Sequence, residues 1–267
     1  MKGIAVVAAL AVILSAAVAV AAPEAGSSPE AAGPRATIYF LHGEKLRATE
    51  REVAGEGLEG HIAVLFSGPT AIQRAQGLRT AVPAGTRVRR VWIEKGTVTV
   101  DVSRRFEAGG GSLSMQLRLA QLVYTATALA GVDRVRLAID GTVVGSIGGE
   151  GLLVGTPQTR ALHARTLAPV HVETPAQGPT LTRGAVTVSG SARTRSGKVT
   201  VTLTDGDGLI AGERTVRVQP GVRSAFRVTL PFRPQKPGWG AVVVGEQRAE
   251  KQVVHRVELP VRVRQSR

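Results

Sequence analysis

Two short runs of alternating residues flank one long apolar segment in the N-terminal half of the chain. Valine stands at every second position between residues 97 and 103, and apolar residues alternate with Arg134 and Arg136 between residues 133 and 140. A period of two is typical of a strand with one face in a core. The segment between the two runs predicts a helix that is N-capped by the Ser112 hydroxyl, ends near Ala130 and is stopped by Gly131. Strand, helix and strand are therefore expected to share a core.

This helix has one narrow polar stripe. At about 100° per residue, Ser114, Arg118, Gln121 and Thr125 fall on one line along it, and apolar residues cover most of the remaining surface. The pattern predicts a helix that is buried on most sides. Arg118, on the stripe, is expected to tolerate replacement by alanine far better than a leucine of the apolar surface.

The other elements of the N-terminal half are shorter. Strands are predicted at residues 37–41, 46–53 and 87–94, and a second helix at residues 58–66. The glycines between residues 141 and 155 lack the preceding strand and following helix of a phosphate loop or a dinucleotide site, so we interpret them as turns. The N-terminal half is thus predicted to be an α+β fold with a mixed sheet and two helices.

After Pro169 only short alternating runs remain. They lie at residues 169–173, 185–189, 199–204, 214–218, 225–230, 241–244 and 253–263. Turn-forming pairs such as Ser196-Gly197 and Pro220-Gly221 separate them. Short strands at this spacing, with no helix between them, predict an all-β region of the two-sheet sandwich type.

The first residues have the pattern of a secretory signal peptide. Lys2 precedes an apolar run, and Ala19-Val20-Ala21 supplies the small residues of a cleavage site after Ala21. An uncleaved membrane anchor is the alternative, because about 20 apolar residues can span a bilayer. The expected organisation is a signal peptide at 1–21, a flexible tether at 22–36, an α/β domain at 37–160 and a β-sandwich at 165–267.

Positive charge is concentrated in the second half. The whole chain carries +14; residues 35–164 hold 16 basic and 11 acidic residues, whereas residues 165–267 hold 17 and 7. For an exported protein the available polyanions are wall polymers and anionic lipid surfaces, not nucleic acid, and acidic envelope proteins are further partners. A solvated arginine-rich surface without a ligand is the alternative.

Six arginines of the second half are candidate polyanion-binding residues, because they lie on or beside predicted strands. They are Arg193, Arg195, Arg214, Arg217, Arg223 and Arg227. Alternation places Arg193 with Arg195, and Arg223 outward with Arg227, so the arginines could form one face of the sandwich.

Catalytic and metal-binding patterns are not evident. The chain has no cysteine, which excludes disulfides, thiolate ligands and a lipid-modified cysteine after the signal. Its five histidines form no His-x-x-x-His pair, and no serine occupies a Gly-x-Ser-x-Gly motif. We therefore predict a non-enzymatic protein without cofactor or metal.

Two acidic features have ordinary structural explanations. The run Asp205-Gly206-Asp207-Gly208 superficially resembles a calcium loop, but its twelfth position is Val216 and not glutamate, so a hairpin turn is favoured. Asp101 and Asp140 end adjacent elements and could face each other as a carboxylate pair, although each is more commonly a turn or strand-end acceptor.

The ordered motifs of the N-terminal half resemble the GerMN domain of sporulation and spore-germination proteins. They are Ile38-Tyr39-Phe40, Thr49-x-Arg51-Glu52-Val53, Leu65-x-x-Gly68-Pro69, Gly77-Leu78-x-x-Ala81-Val82-Pro83-x-Gly85-Thr86, Gly96-x-Val98-x-Val100-Asp101-Val102-Ser103, Tyr124-Thr125, Gly131-Val132-x-x-Val135 and Asp140-Gly141. The resemblance covers roughly residues 37–160.

The second half resembles the immunoglobulin-like domain that often follows GerMN in bacterial germination proteins. The supporting residues are Pro169, Val186-x-Val188-x-Gly190-x-Ala192, Val199-x-Val201-x-Leu203-x-Asp205, Phe226, Leu230-x-Phe232, Gly238 and Val257-x-Leu259-Pro260-Val261. Many relatives are lipoproteins with a cysteine after the signal, which this chain lacks.

The resemblance implies a role in the cell envelope during sporulation or germination. The family has no established catalytic residues that could be assigned to positions of this sequence. The first hypothesis is an exported, non-enzymatic protein that binds envelope partners, or a second copy of itself, through sheet edges and a basic sandwich face. The alternative is a wall-polymer or small-ligand binding module unrelated to sporulation.

Overall fold

The valine-rich strand and the helix after it form the centre of the N-terminal region. The computed structural model describes residues 33–55, 57–176, 180–182, 184–233, 235–249 and 252–264. The predicted signal peptide and most of the predicted tether lie outside the described residues. The elements of the N-terminal region are β1 (Arg35–His42), β2 (Lys45–Glu52), α1 (Leu58–Ser67), α2 (Ala71–Ala75), β3 (Leu78–Arg79), β4 (Val88–Glu94), β5 (Thr97–Val102), α3 (Ser112–Ala126), β6 (Arg134–Ile139), β7 (Thr142–Val143), β8 (Ser146–Ile147) and β9 (Leu152–Leu153).

The mixed sheet predicted for this region is present, in the order β4-β5-β6-β7. β5 runs antiparallel to β4 and parallel to β6, and α3 is the crossover that the parallel pair requires. The valines of β5 face a core that also contains Ile38, Phe40 and Leu122. The hairpin β1–β2 forms a separate antiparallel sheet with the short β3, and the one-turn helix α2 adds to the two predicted helices.

The second region is the predicted β-sandwich. Its strands are β10 (Val170–Thr174), β11 (Thr180–Leu181), β12 (Gly184–Ala192), β13 (Lys198–Thr204), β14 (Ile210–Arg217), β15 (Ser224–Phe232), β16 (Gly238–Ala249) and β17 (Gln252–Val263). They form a three-stranded sheet, β10-β12-β15, and a five-stranded sheet, β11-β17-β16-β13-β14. The inward residues of both sheets make one apolar core. The fold class predicted from the sequence, α+β followed by all-β, is confirmed.

The polar stripe of α3 is buried. Gln121 and Thr125 bond the main chain of Tyr39 in β1: the Tyr39 N–H donates to Thr125 Oγ1 at 3.0 Å, and Gln121 Nε2 donates to the Tyr39 carbonyl at 3.1 Å. Gln121 Oε1 also accepts from the N–H of Ala81 at 2.8 Å. The stripe therefore satisfies the main chain of Tyr39, which lies on the edge of β1 beyond the two residues that β3 covers.

Arg118 is also buried, with 3% of its surface exposed. Its Nε donates to the carbonyl of Ala81 at 2.9 Å and its Nη1 to that of Phe106 at 2.6 Å, while Nη2 bonds Gly109 and Ser114. Burial lowers the pKa of this guanidinium from its ordinary value. The expectation that Arg118 is easily replaced is wrong, because several buried carbonyls depend on it.

The ends of α3 also differ from the prediction. The helix begins at Ser112 with Gly111 as the N-cap, and no side chain makes the capping bond. It ends at Ala126, where the Thr127 hydroxyl donates to the carbonyl of Val123 at 2.6 Å. Ser112 is therefore the first helical residue and not the cap.

Arg118→Ala is expected to destabilise the protein about as much as a core leucine truncation, by roughly 2–5 kcal/mol, because it leaves buried carbonyls without donors. Urea unfolding followed by circular dichroism measures the free energy of unfolding. Leu113→Ala in the same helix is the control, since Leu113 is 49% exposed. An Arg118→Ala protein as stable as the control would contradict this role.

Candidate ligand-binding surfaces

The six candidate arginines do not lie on a single face of the sandwich. Arg227 projects from the outer face of the three-stranded sheet, between the inward-facing Phe226 and Val228. Arg217 pairs with Lys198 on the outer face of the five-stranded sheet. These two faces lie on opposite sides of the sandwich, so the expectation of a single basic face is wrong.

Three of the remaining arginines bond main-chain carbonyls of the sandwich or of the segment leading into it. Arg214 Nη1 donates to Thr229 at 2.9 Å, and Arg193 Nε donates to Gly221 at 3.0 Å. Arg223 is half-buried and donates to Ala168 at 2.8 Å, and burial lowers its pKa. Arg195 is exposed. The high charge of the second half is thus distributed over different faces and is partly used for structure.

A basic and aromatic surface lies instead on the outer face of the mixed sheet, opposite the core. The register places three residues in one row across β4, β5 and β6, namely Trp92, Thr99 and Arg136. The next row contains Glu94, Thr97 and Arg134. These six residues, with Lys95 and Val143, line a groove of about 390 Å³, which we call the trough.

The sequence contained part of the signal for this surface. Alternation in β6 already places Arg134 and Arg136 together on the face opposite Val135, and Trp92 lies in a predicted strand. The parallel register of β5 with β6 brings the two strands' side chains into common rows, and that pairing is not encoded in the period of either strand.

Asp101 and Asp140 lie at one end of this sheet, and Arg89 contacts both. Arg89 Nη1 is 3.2 Å from an oxygen of Asp140, and Arg89 Nε is 3.7 Å from an oxygen of Asp101. Asp101 also accepts the N–H of Gly141 at 3.0 Å. The interpretation of Asp101 as a turn acceptor is therefore confirmed, and the guanidinium pairs with both carboxylates.

The acidic run after β13 is a hairpin turn, as predicted. One oxygen of Asp205 accepts the N–H groups of Asp207 and Leu209, and the other accepts those of Gln235 and Lys236. Burial favours a raised pKa for this carboxyl, but the four donors outweigh it and the pKa is lowered. Within the described residues, no group of three His, Cys, Asp or Glu side chains is arranged to hold a metal ion.

A larger cleft of about 990 Å³ lies between the β1–β2 sheet and the sandwich. Two large apolar side chains line it while remaining open to solvent, Ile72 at 72% and Trp239 at 65% exposure. Arg47 crosses from β2 to donate to the carbonyl of Glu258 at 3.0 Å. Concave surfaces between domains are common places for small ligands.

Five side chains connect the two regions on another side, and we call them the joint: Tyr39, Tyr124, Arg160, His171 and Glu173. The Arg160 guanidinium lies 5.5 Å from the ring centre of Tyr39 and 5.0 Å from that of Tyr124. Its Nη1 bonds Glu173 at 3.1 Å, and Glu173 also accepts from the Tyr39 hydroxyl at 3.3 Å. Cation–π contacts and a charged hydrogen bond thus converge on Arg160.

An apolar cluster surrounds the joint. It contains Leu41 and Leu46 from the hairpin, Leu117 from α3, and Leu167 and Ala176 from the second half of the chain. Residues Gly33–Arg267 accordingly form one compact unit.

His171 lies in the joint, and one of its two ring nitrogens makes no hydrogen bond with the described residues. Its ring is stacked 5.7 Å from that of Tyr39, it is 3% exposed, and its Nε2 has no hydrogen-bond partner. Burial, with smaller contributions from the nearby Arg223 and Arg160, lowers its pKa to about 3. The histidine is therefore neutral at physiological pH.

Comparison with known proteins identifies both regions. The family model for sporulation and spore germination, Germane, matches residues 37–145, and the model for the immunoglobulin-like domain of bacterial spore germination, Gmad2, matches residues 169–251. The chain is a GerMN-domain protein with a germination-type immunoglobulin-like domain. No curated protein matches it.

Solved structures of GerMN domains are also similar to this GerMN-domain protein. The first GerMN domain of the sporulation protein GerM from Bacillus subtilis is 20% identical over 48% of this chain and 98% of that chain, with a TM-score of 0.41. The tandem GerMN domains of the same protein are 15% identical over 74% of this chain and 61% of that chain, with a TM-score of 0.43.

Acid is expected to destabilise this protein through His171. An unfolded histidine binds a proton near pH 6.5, whereas the buried one does so only near pH 3. Between these two values the unfolded state therefore binds more protons than the folded state. The free energy of unfolding consequently falls as the pH falls through this window. Urea unfolding at about pH 7.5 and about pH 5 measures the loss. His171→Phe should lose less stability over this interval than the wild type.

His42→Phe is the control for this measurement, because His42 is exposed. His163, whose pKa burial also lowers, contributes in the same direction, so His171→Phe removes only part of the dependence. An unchanged dependence in His171→Phe would contradict the assignment.

Proposed function

We propose that this protein is an exported, non-enzymatic component of the cell envelope that serves sporulation or spore germination by contacting envelope partners. Its two family domains support a germination-type role. The export step rests on the signal-like sequence before Ala22. Within the described residues no helix combines the length and apolar composition needed to cross a bilayer.

The observation that carries the proposed mode of action is the joint. Arg160 stacks on two tyrosines and bonds Glu173 of the sandwich, and an apolar cluster closes around these contacts. Two domains held in this way present their outer faces at a fixed angle, as a protein that positions partners requires. Sheet edges such as the outer edge of β4 offer backbone groups to a partner or to a second copy.

The test is deletion of the gene in its own host. We expect fewer heat-resistant spores or slower germination, measured by plating after heating and by the fall in optical density. Wild-type complementation should restore both. A deletion strain indistinguishable from the parent in both assays would contradict the germination role.

Export predicts a defined mature N-terminus. Mass spectrometry of the protein recovered from its host should find Ala22 as the first residue, because the small residues 19–21 favour cleavage there. A retained Met1 or Lys2 would instead indicate a membrane-anchored protein.

A wall-polymer or small-ligand binding module is the second candidate function, and the cleft beside Trp239 favours it. The cleft is concave, and its exposed tryptophan and isoleucine offer apolar surface to a ligand. Sedimentation with purified wall separates the two functions: binding to wall free of protein supports the module, and binding that requires envelope proteins supports the first proposal.

A further inference from the structure

The trough has two unlike walls and a low floor. Its floor is formed by Thr97 and Thr99 of the central strand β5, whose side chains are short. Trp92 stands on one side, and Arg134 and Arg136 stand on the other. Because neighbouring strands lie about 4.8 Å apart, the walls are separated by roughly 10 Å, and the two arginines, two positions apart, by about 7 Å.

The two arginines of the trough are free to bind a ligand. Within the described part of the chain, the guanidinium groups of Arg134 and Arg136 take part in no hydrogen bond or ion pair, in contrast to those of Arg89, Arg118 and Arg160. Arg134 is exposed and Arg136 half-buried. A guanidinium presents paired donors that match the two oxygens of a carboxylate or a phosphate.

The opposite wall selects among anionic ligands. Arg90 already lies 5.1 Å from the ring centre of Trp92, and Glu94 is the next side chain along the same wall. A carboxylate there repels a second acid group but accepts hydrogen bonds from hydroxyls. The matching ligand has acid groups on one edge, hydroxyls on the other and an apolar ring face for the tryptophan.

We propose that the trough binds an acidic glycan, with a sugar ring against Trp92, hydroxyls toward Glu94 and the acid groups on Arg134 and Arg136. Nucleic acid fits less well, because sheets that bind single strands usually stack successive bases on two or three aromatic side chains, whereas Trp92 is the only aromatic side chain lining this trough. The inference rests on the proposed envelope location only for the source of the glycan.

Calorimetry with the purified mature protein tests the site. Oligogalacturonate supplies carboxylates, a phosphorylated mannan oligosaccharide supplies phosphates, and maltohexaose is the neutral control. One or both acidic probes should bind, and maltohexaose should not. The probe that binds shows whether the trough recognises carboxylates, phosphates or both.

The variants assign binding to the trough. Arg134→Ala combined with Arg136→Ala should weaken the acidic probe by about tenfold or more, because two charged hydrogen-bonding groups are lost. Arg217→Ala combined with Lys198→Ala removes the same number of charges from the outer face of the sandwich and should alter affinity by less than about twofold. Thermal unfolding should show that each variant remains folded.

Tryptophan fluorescence gives a second readout that does not depend on the arginine variants. The chain has two tryptophans. In a Trp239→Phe protein, the acidic probe should change the emission of the remaining Trp92. In a Trp92→Phe protein, the emission of Trp239 should stay constant.

Three results would overturn the proposal. They are absence of binding by both acidic probes, equal loss of affinity in the control and trough double variants, and tighter binding of a thymidine oligonucleotide than of either glycan. Loss of binding on charge reversal of Arg193, Arg195 and Arg227, with the trough variants unaffected, would assign the site to the sandwich. None of these results alters the expected export or spore phenotype, so failure here and failure of the proposed function are distinguishable.

Discussion

Hydrogen bonds between α3 and the edge of β1 organise the N-terminal region. A strand edge has unpaired N–H and C=O groups, and β3 covers only two residues of this one. Gln121 and Thr125 bond both main-chain groups of Tyr39, and Arg118 bonds the loops on either side. These bonds hold α3 against β1, and the same helix is the crossover between the parallel strands β5 and β6.

The same contact connects the N-terminal region to the sandwich. Once α3 fixes Tyr39, Tyr124 on the next turn from Gln121 brings its ring 5.2 Å from that of Tyr39, and Arg160 closes over both. Glu173, from the first strand of the sandwich, completes the group. Separating the two regions between residues 160 and 173 would break the Arg160–Glu173 ion pair and remove the Tyr39 ring from His171. The two family matches end at residue 145 and begin at residue 169, and the domains on either side pack against each other at the joint.

Periodicity predicted the elements well and their surroundings poorly. The valines of β5, the apolar surface of α3 and the sandwich strands all lie where alternation placed them, because each pattern reports burial of its own residues. A polar stripe, however, has the same period whether it faces water or a strand edge, so the pattern does not show that Arg118 is buried and bonded. The prediction that the six sandwich arginines share one face was wrong for a related reason. Alternation assigns a residue to the inner or outer side of a sheet, but it does not show which of the two sheets contains the strand.

Net charge is also a poor guide to where an anion binds. The second half of the chain is the more basic, yet Arg193, Arg214 and Arg223 donate to main-chain carbonyls and the others lie on different faces. An anion gains most where donors converge and have no internal partner, because it then replaces water and breaks no existing bond. Among the described residues of the less basic half, Arg134 and Arg136 meet this condition, across the trough from Trp92. The arginine pair of the trough is therefore a stronger basis for assigning an anionic ligand than the larger charge of the sandwich.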